Sequence, residues 1–219
     1  MDNPWRHVPQ QPPYVLPPDL PAVTSFNQRV GEDHQIHAEL LPEPYLGDPT
    51  APIVLLNLNP GFSEHDHLLL DDPLGQALSR KNLLHQPMDY PFFLLDPRIA
   101  YAPGAKWWKA RLGALIRLVG VEAVAHKICC VEYFPYHSRK YGDLGHIIES
   151  QRYGFHLVEQ AIERRALIVA MRSRRFWCEQ VPRLSTYNQL HACSNWRRPY
   201  ISSGNLPATF PTIEHILRS

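Results

Sequence analysis

Cysteine is scarce in this sequence: Cys129, Cys130, Cys178 and Cys193 are the four in 219 residues. They form no Cys-x-x-Cys pair and have no histidine at zinc-site spacing. That excludes a disulfide-built scaffold and a structural zinc module, and predicts reduced, partly buried thiols. Glycine is thin as well, with 11 residues and no triplet period, so a collagen-like chain is excluded. No apolar run approaches the length of about 18 residues that reads as a membrane span. No charged stretch followed by a short apolar one marks a secretion signal. A cytoplasmic protein with no membrane partner is expected. Neither sign of charge dominates, the formal net charge being +1 with histidine neutral.

What is present is an ordinary globular composition, 44% hydrophobic and 20% charged, which excludes disorder over the whole length. The exception is proline, with 22 residues, twelve of them in the first 60. Residues 1–50 therefore read as an extended, proline-rich segment packed on a body, and 51–219 as a single α/β domain. Charge is unevenly spread. Residues 1–100 hold 5 Lys/Arg and 13 Asp/Glu, whereas 101–219 hold 17 and 8. Such halves either pack together or leave a basic binding face on the second.

Three short apolar runs read as strands buried on both faces: Ile53–Leu58, Lys127–Glu132 and Ala166–Met171. Helical spacing predicts helices near 74–84, over 106–119, 147–165 and 172–180, and at 211–218. A short helix is expected within 30–41 and a short strand at 92–95. Alternating strands and helices predict a three-layer α/β/α fold around a mostly parallel sheet, in which ligands bind beyond the carboxyl ends of the strands.

The segments after the strands are the ones with chemistry. Asn59-Pro60-Gly61-Phe62 stops the first strand in a turn where an amide side chain sits beside open backbone. Glu132-Tyr133-Phe134-Pro135-Tyr136-His137-Ser138-Arg139 puts a carboxylate at a strand end, with aromatic residues and a polar, cationic cluster after it. Arg172 opens a cationic helix start, an arrangement that favours a nearby anion. Arg197 and Arg198 precede Ile201-Ser202-Ser203-Gly204-Asn205, where hydroxyl and backbone N–H groups suit phosphate contact. Trp107 and Trp108 read as packing.

In this order the segments resemble the uracil-DNA glycosylase superfamily, in particular its mismatch-specific uracil/thymine and single-strand-selective branches. Asn59-Pro60-Gly61 is similar to the first motif, with Asn57 replacing its usual leading glycine. Glu132 to Pro135 is similar to the second strand end, where an asparagine commonly reads the flipped base. Ile201–Leu206 falls where the last motif lies. The resemblance implies a protein that extrudes a modified or deaminated base from DNA and hydrolyses its N-glycosidic bond, with no cofactor and no metal. It implies Asn59 as the holder of the attacking water, with Ser202 and Ser203 also in the catalytic set. Phe62, Glu132 and Tyr133 would hold the base. His137, Ser138, Arg139, Arg172, Arg197, Arg198, Gly204 and Asn205 would contact phosphate.

Three departures stand beside that reading. The last motif lacks its histidine, no aspartate directly follows the first strand, and Glu132 replaces an asparagine. An ionised Glu132 would favour guanine or cytosine edges over uracil, whereas a buried one would stay protonated. A nucleotide or nucleic-acid binder without catalysis is the alternative. A third reading is a metal-dependent small-molecule hydrolase built on His65-Asp66-His67 with Asp71 and Asp72.

Overall fold

The apolar run at Ile53–Asn57 buries both of its faces, and in the computed structural model, which describes residues 1–219, it is the central strand of a five-stranded sheet. The strands are β1 (Tyr45–Leu46), β2 (Ile53–Asn57), β3 (Ile128–Glu132), β4 (Leu167–Ala170) and β5 (Leu190–Ala192). Their spatial order is β1-β3-β2-β4-β5. All are parallel except β1, which runs antiparallel to β3 at one edge. Side chains alternate across the pleat. Val54, Leu56, Cys129, Val131 and Ile168 enter one core, and Ile53, Leu55, Ile128, Cys130, Leu167 and Val169 the other.

The helices are α1 (Leu20–Asn27), α2 (His67–Asp71), α3 (Pro73–Leu83), α4 (Pro103–Arg111), α5 (Gly113–Val119), α6 (Val121–Lys127), α7 (Glu149–Glu163), α8 (Arg174–Gln180) and α9 (Phe210–Arg218). The first core is covered by α1, α7, α8 and the N-terminal segment, the second by α4, α5, α6 and α9. The mixed α/β fold with a mostly parallel sheet is thus the one expected. No helix is long and apolar enough to cross a membrane.

Several local expectations are corrected. The helix expected within 30–41 is reduced to a single turn of 3-10 helix at Glu32–His34. Before it, α1 ends at Asn27, whose side chain makes two 2.8 Å hydrogen bonds to the backbone of Ile36 and turns the chain back on itself. Residues 93–95 form a turn of 3-10 helix rather than a strand, since a short buried apolar run has no period that separates the two. The single helix expected over 106–119 breaks at the fully buried Leu112, whose backbone leaves helical geometry (φ −96°, ψ 4°). Gly120, at φ +87°, then turns the chain into α6. β5 had no apolar pattern to announce it.

The proline-rich segment is built into the body. Trp5, Tyr14, Val15 and Leu16 belong to the first core, and the segment contributes β1 to the sheet. Asn3 accepts from Trp5 N and donates to Leu83 O at 2.8 Å. The fully buried Asp19 accepts from Tyr136 Oη at 2.7 Å and from Ser150 N at 3.3 Å.

Candidate binding cleft at the strand ends

Leaving β2 the chain moves to one side of the sheet, and leaving β4 it moves to the other. In parallel sheets the crevice at such a divergence, beyond the carboxyl ends of the strands, is where ligands bind. A cleft of about 250 Å³ lies there, close to the lower end of the range of about 300–1,000 Å³ typical of small-molecule sites. Asn57, Asn59, Glu132 and Arg172, from the ends of β2, β3 and β4, all line it.

Asn57 and Glu132 are paired in register at the last rung of β2 and β3, and the pleat puts both on the same face of the sheet. Asn57 Nδ2 donates to Glu132 Oε1 at 3.0 Å. That leaves Asn57 Oδ1, Glu132 Oε2 and Arg172 Nε buried without a partner. A buried polar atom left unpaired costs about 1–3 kcal/mol, so three in one cleft mark a place where stability is given up. Burial pushes the Glu132 carboxyl up to about 8, with the hydrogen bond from Asn57 opposing and the nearby Glu43 adding to the rise. Burial likewise raises Glu43 and Asp66, against the pull of His137, and lowers Arg172.

The shift at Glu132 has a consequence for stability. The native state keeps this proton over the range in which the unfolded chain, near 4.5, has lost it. The favourable contribution is therefore complete below about pH 4.5 and declines as pH rises to about 8. Glu132→Gln is expected to remove that decline and to be the more stable protein by a few kcal/mol at pH 8–9. Urea midpoints across pH 5–9 measure it, and parallel pH profiles for the two proteins would refute it.

Asn59 is 9% exposed, and its Nδ2 donates to Pro60 O (2.9 Å), Ser138 Oγ (3.0 Å) and Ser138 O (3.3 Å). Its Oδ1 takes part in none of the chain's hydrogen bonds and is the group the residue can offer to a ligand or a water. Facing the strand ends is an apolar wall of Leu69, Leu70, Leu94, Trp107 and Trp108. Ala102, Pro103 and Gly104, the start of α4, line the cleft too and bring the positive end of that helix to it.

The structure gathers some of the residues singled out by sequence and disperses others. Asn59, Glu132 and Arg172 meet in the cleft. Tyr133 does not: it follows Glu132 on the alternating strand path and packs with Phe155, Phe176 and Trp177 in the first core. Phe62 lines the cleft, but His37 stacks on its ring at 3.3 Å and the Arg139 guanidinium lies 5.5 Å from its centre. The aromatic wall is supplied instead by Trp107 and Trp108, so their reading as packing alone is corrected.

His137, Ser138 and Arg139 also line the cleft, but His137 and Ser138 are buried and hold the turn. The two ring nitrogens of His137 face Gly61 O (2.7 Å) and Leu41 O (3.0 Å). Arg139, half exposed, pairs with Glu64 and Asp33. Ser202, Gly204, Asn205 and Arg198 line a separate shallow depression with Arg111 and Arg117, and Ser203 and Arg197 are exposed on the same loop. Asn57 is the residue that sequence reasoning passed over. Its signal was a polar side chain as the last residue of an otherwise wholly apolar strand.

His65 and His67 are exposed, while Asp66 turns inward to accept from Ser63 N at 2.6 Å. No three His, Cys, Asp or Glu side chains cluster closely enough to hold a metal ion.

Fold and site together define an α/β protein with a polar-floored, aromatic-walled cleft at the divergence point of a parallel sheet. Comparisons with protein-family models, with curated proteins and with solved structures find no match to this chain.

Proposed function

We propose that the cleft takes a nucleobase extruded from a nucleic acid and that the protein hydrolyses its N-glycosidic bond, as the likeness to the uracil-DNA glycosylase superfamily implies. The observation that carries this reading is Asn59. Its amide nitrogen is consumed by Pro60 and Ser138, so its carbonyl oxygen is held fixed at the edge of a cleft with an aromatic wall and an unsatisfied polar floor. That oxygen accepts a hydrogen from a water and orients the water's lone pair toward the sugar C1′. The new C1′–O bond forms as the C1′–N bond breaks. The electron pair leaves with the base, which takes up the proton the water releases. Negative charge on the departing base is met by Arg172 and by the N-terminal turn of α4.

A cationic and aromatic surface continues from the cleft. Arg111 lies between Trp107, 4.7 Å from its guanidinium, and Tyr200, at 4.4 Å. Arg197 sits 4.5 Å from the ring of Trp196, which is 56% exposed. Alternating guanidinium and aromatic groups suit nucleic-acid strands, whose phosphates and bases they engage together.

The second reading, a binder without catalysis, is favoured by one observation: Ser202 and Ser203 lie outside the cleft, so the last motif brings no group to the leaving base. Incubating the protein with labelled oligonucleotides, single and double stranded, that carry uracil, hypoxanthine or thymine in a mismatch separates the two. Alkali-labile abasic sites are expected with at least one of them. Salt-dependent retention without product would establish the binder instead. Absence of both would remove the nucleic-acid reading altogether.

A further inference from the structure

The floor of the cleft carries information about which base it accepts, an inference that rests on the reading just given. Glu132 is 5% exposed and no Lys, Arg or His nitrogen lies within salt-bridge distance of its carboxyl. The groups around it come from four places. Asn57 on β2 donates one N–H to Oε1, and the Cys130 thiol on β3 is 3.9 Å from the same oxygen. Glu43, before β1, adds a second carboxyl, and Arg172, after β4, leaves its Nε unpartnered instead of reaching Glu132. One amide N–H and one weak thiol S–H donor do not compensate a buried carboxylate, which ordinarily needs a cation or several N–H groups.

We propose that Glu132 serves as a carboxylic acid whose Oε2–H donates to the ligand beside the accepting Oδ1 of Asn57, making Glu132 the residue that sets base preference. The direction of each hydrogen bond follows from the chemistry. Asn57 spends its N–H on Glu132 Oε1, so its free atom is an acceptor. With Oε1 accepting, the proton of Glu132 resides on Oε2, which is a donor. Arg172 Nε–H is a second donor. Because β2 lies between β3 and β4, the floor runs donor, acceptor, donor across the sheet. Its complement is a heterocycle with an N–H flanked by carbonyl oxygen, a lactam or imide edge. Cytosine, with an acceptor nitrogen beside an amino group, mismatches both Glu132 and Asn57. Among the two protonation states weighed from sequence this selects the neutral one, and with it reverses the preference for cytosine edges. The buried carboxyl titrates at about 8, so the preference fades within reach of ordinary buffers.

The test is calorimetric titration of the intact protein with free uracil and free cytosine between pH 6 and 9, on wild type and Glu132→Gln. The glutamine keeps a donor in place of Oε2–H and has no proton to lose. Wild type is expected to favour uracil at least about tenfold at pH 6, with the ratio falling by roughly tenfold toward pH 9. Glu132→Gln is expected to hold its ratio constant over that range. A wild-type ratio independent of pH, or one that favours cytosine, overturns the proposal, and that measurement needs no folded variant. A Glu132→Gln ratio that falls with pH as the wild type's does overturns it as well. If neither base binds at any pH, the assignment of the cleft to a nucleobase falls first. If both bind with a flat ratio, only the role of Glu132 falls.

Discussion

Replacing Asn59 with alanine is expected to lower base release by at least about a hundredfold, the cost of losing one preorganised polar group aimed at the reacting centre. The structure makes this variant do two things at once. It removes the Oδ1 that faces the cleft, and it also removes the Nδ2 that ties Pro60 and Ser138, so some loss of stability accompanies the loss of rate. Asn59→Asp separates the two effects. It keeps an oxygen acceptor at the cleft and abolishes the amide donor. If Asn59 acts by holding water, the aspartate variant retains release to within about tenfold while its melting temperature falls like that of the alanine variant. Equal losses of rate in both, tracking the melting temperature, would assign Asn59 a purely structural role. Single-turnover release from an oligonucleotide substrate, read beside thermal melts of each variant, measures both quantities.

The second large effect concerns Trp5, far from the cleft in sequence. It is 0% exposed, meets Tyr136 edge-on at 6.0 Å, and stands in the first core with residues of α7 and α8. Trp5→Ala is expected to cost about 3–5 kcal/mol, a large part of the total stability of a domain. Trp5→Phe retains most of the buried area and removes an indole N–H that has no hydrogen-bond partner, so about 2 kcal/mol or less is expected. Denaturant unfolding of both variants checks this. A small effect for Trp5→Ala would mean that the N-terminal segment adheres to the body without being part of it.

The same segment illustrates what could be read from sequence and what could not. Its prolines marked it as irregular, but no periodicity in residues 1–19 announces Trp5 or Tyr14 as core. Those positions are buried because Asn3, Asp19 and Tyr136 fix the path of the chain, through bonds between residues up to 131 apart in sequence. The strands β2, β3 and β4 were legible because each is short, apolar and bounded by turn residues, and because burial on both faces demands that composition, whereas the edge strands β1 and β5 carry no such run. The helix over 106–119 was legible in type but not in its break. Helical spacing continues through Leu112, and only packing bends the chain there.

The site divides in the same way. Asn59 and Glu132 were visible because a polar residue at the end of an apolar strand is costly unless it has a task. Tyr133 and Glu132 are neighbours in sequence, and one enters the core while the other enters the cleft. The pleat requires that they part, but which side holds the cleft depends on where α4 places Trp107 and Trp108. The chain alone therefore determined the layered α/β fold and the residue types at the strand ends, since local burial patterns and turn chemistry encode both. The tertiary structure decided which of those residues face one another. Register paired Asn57 with Glu132, and strand order brought Arg172 alongside. Both are set by contacts between distant segments, for which no stretch of sequence carries a signal of its own.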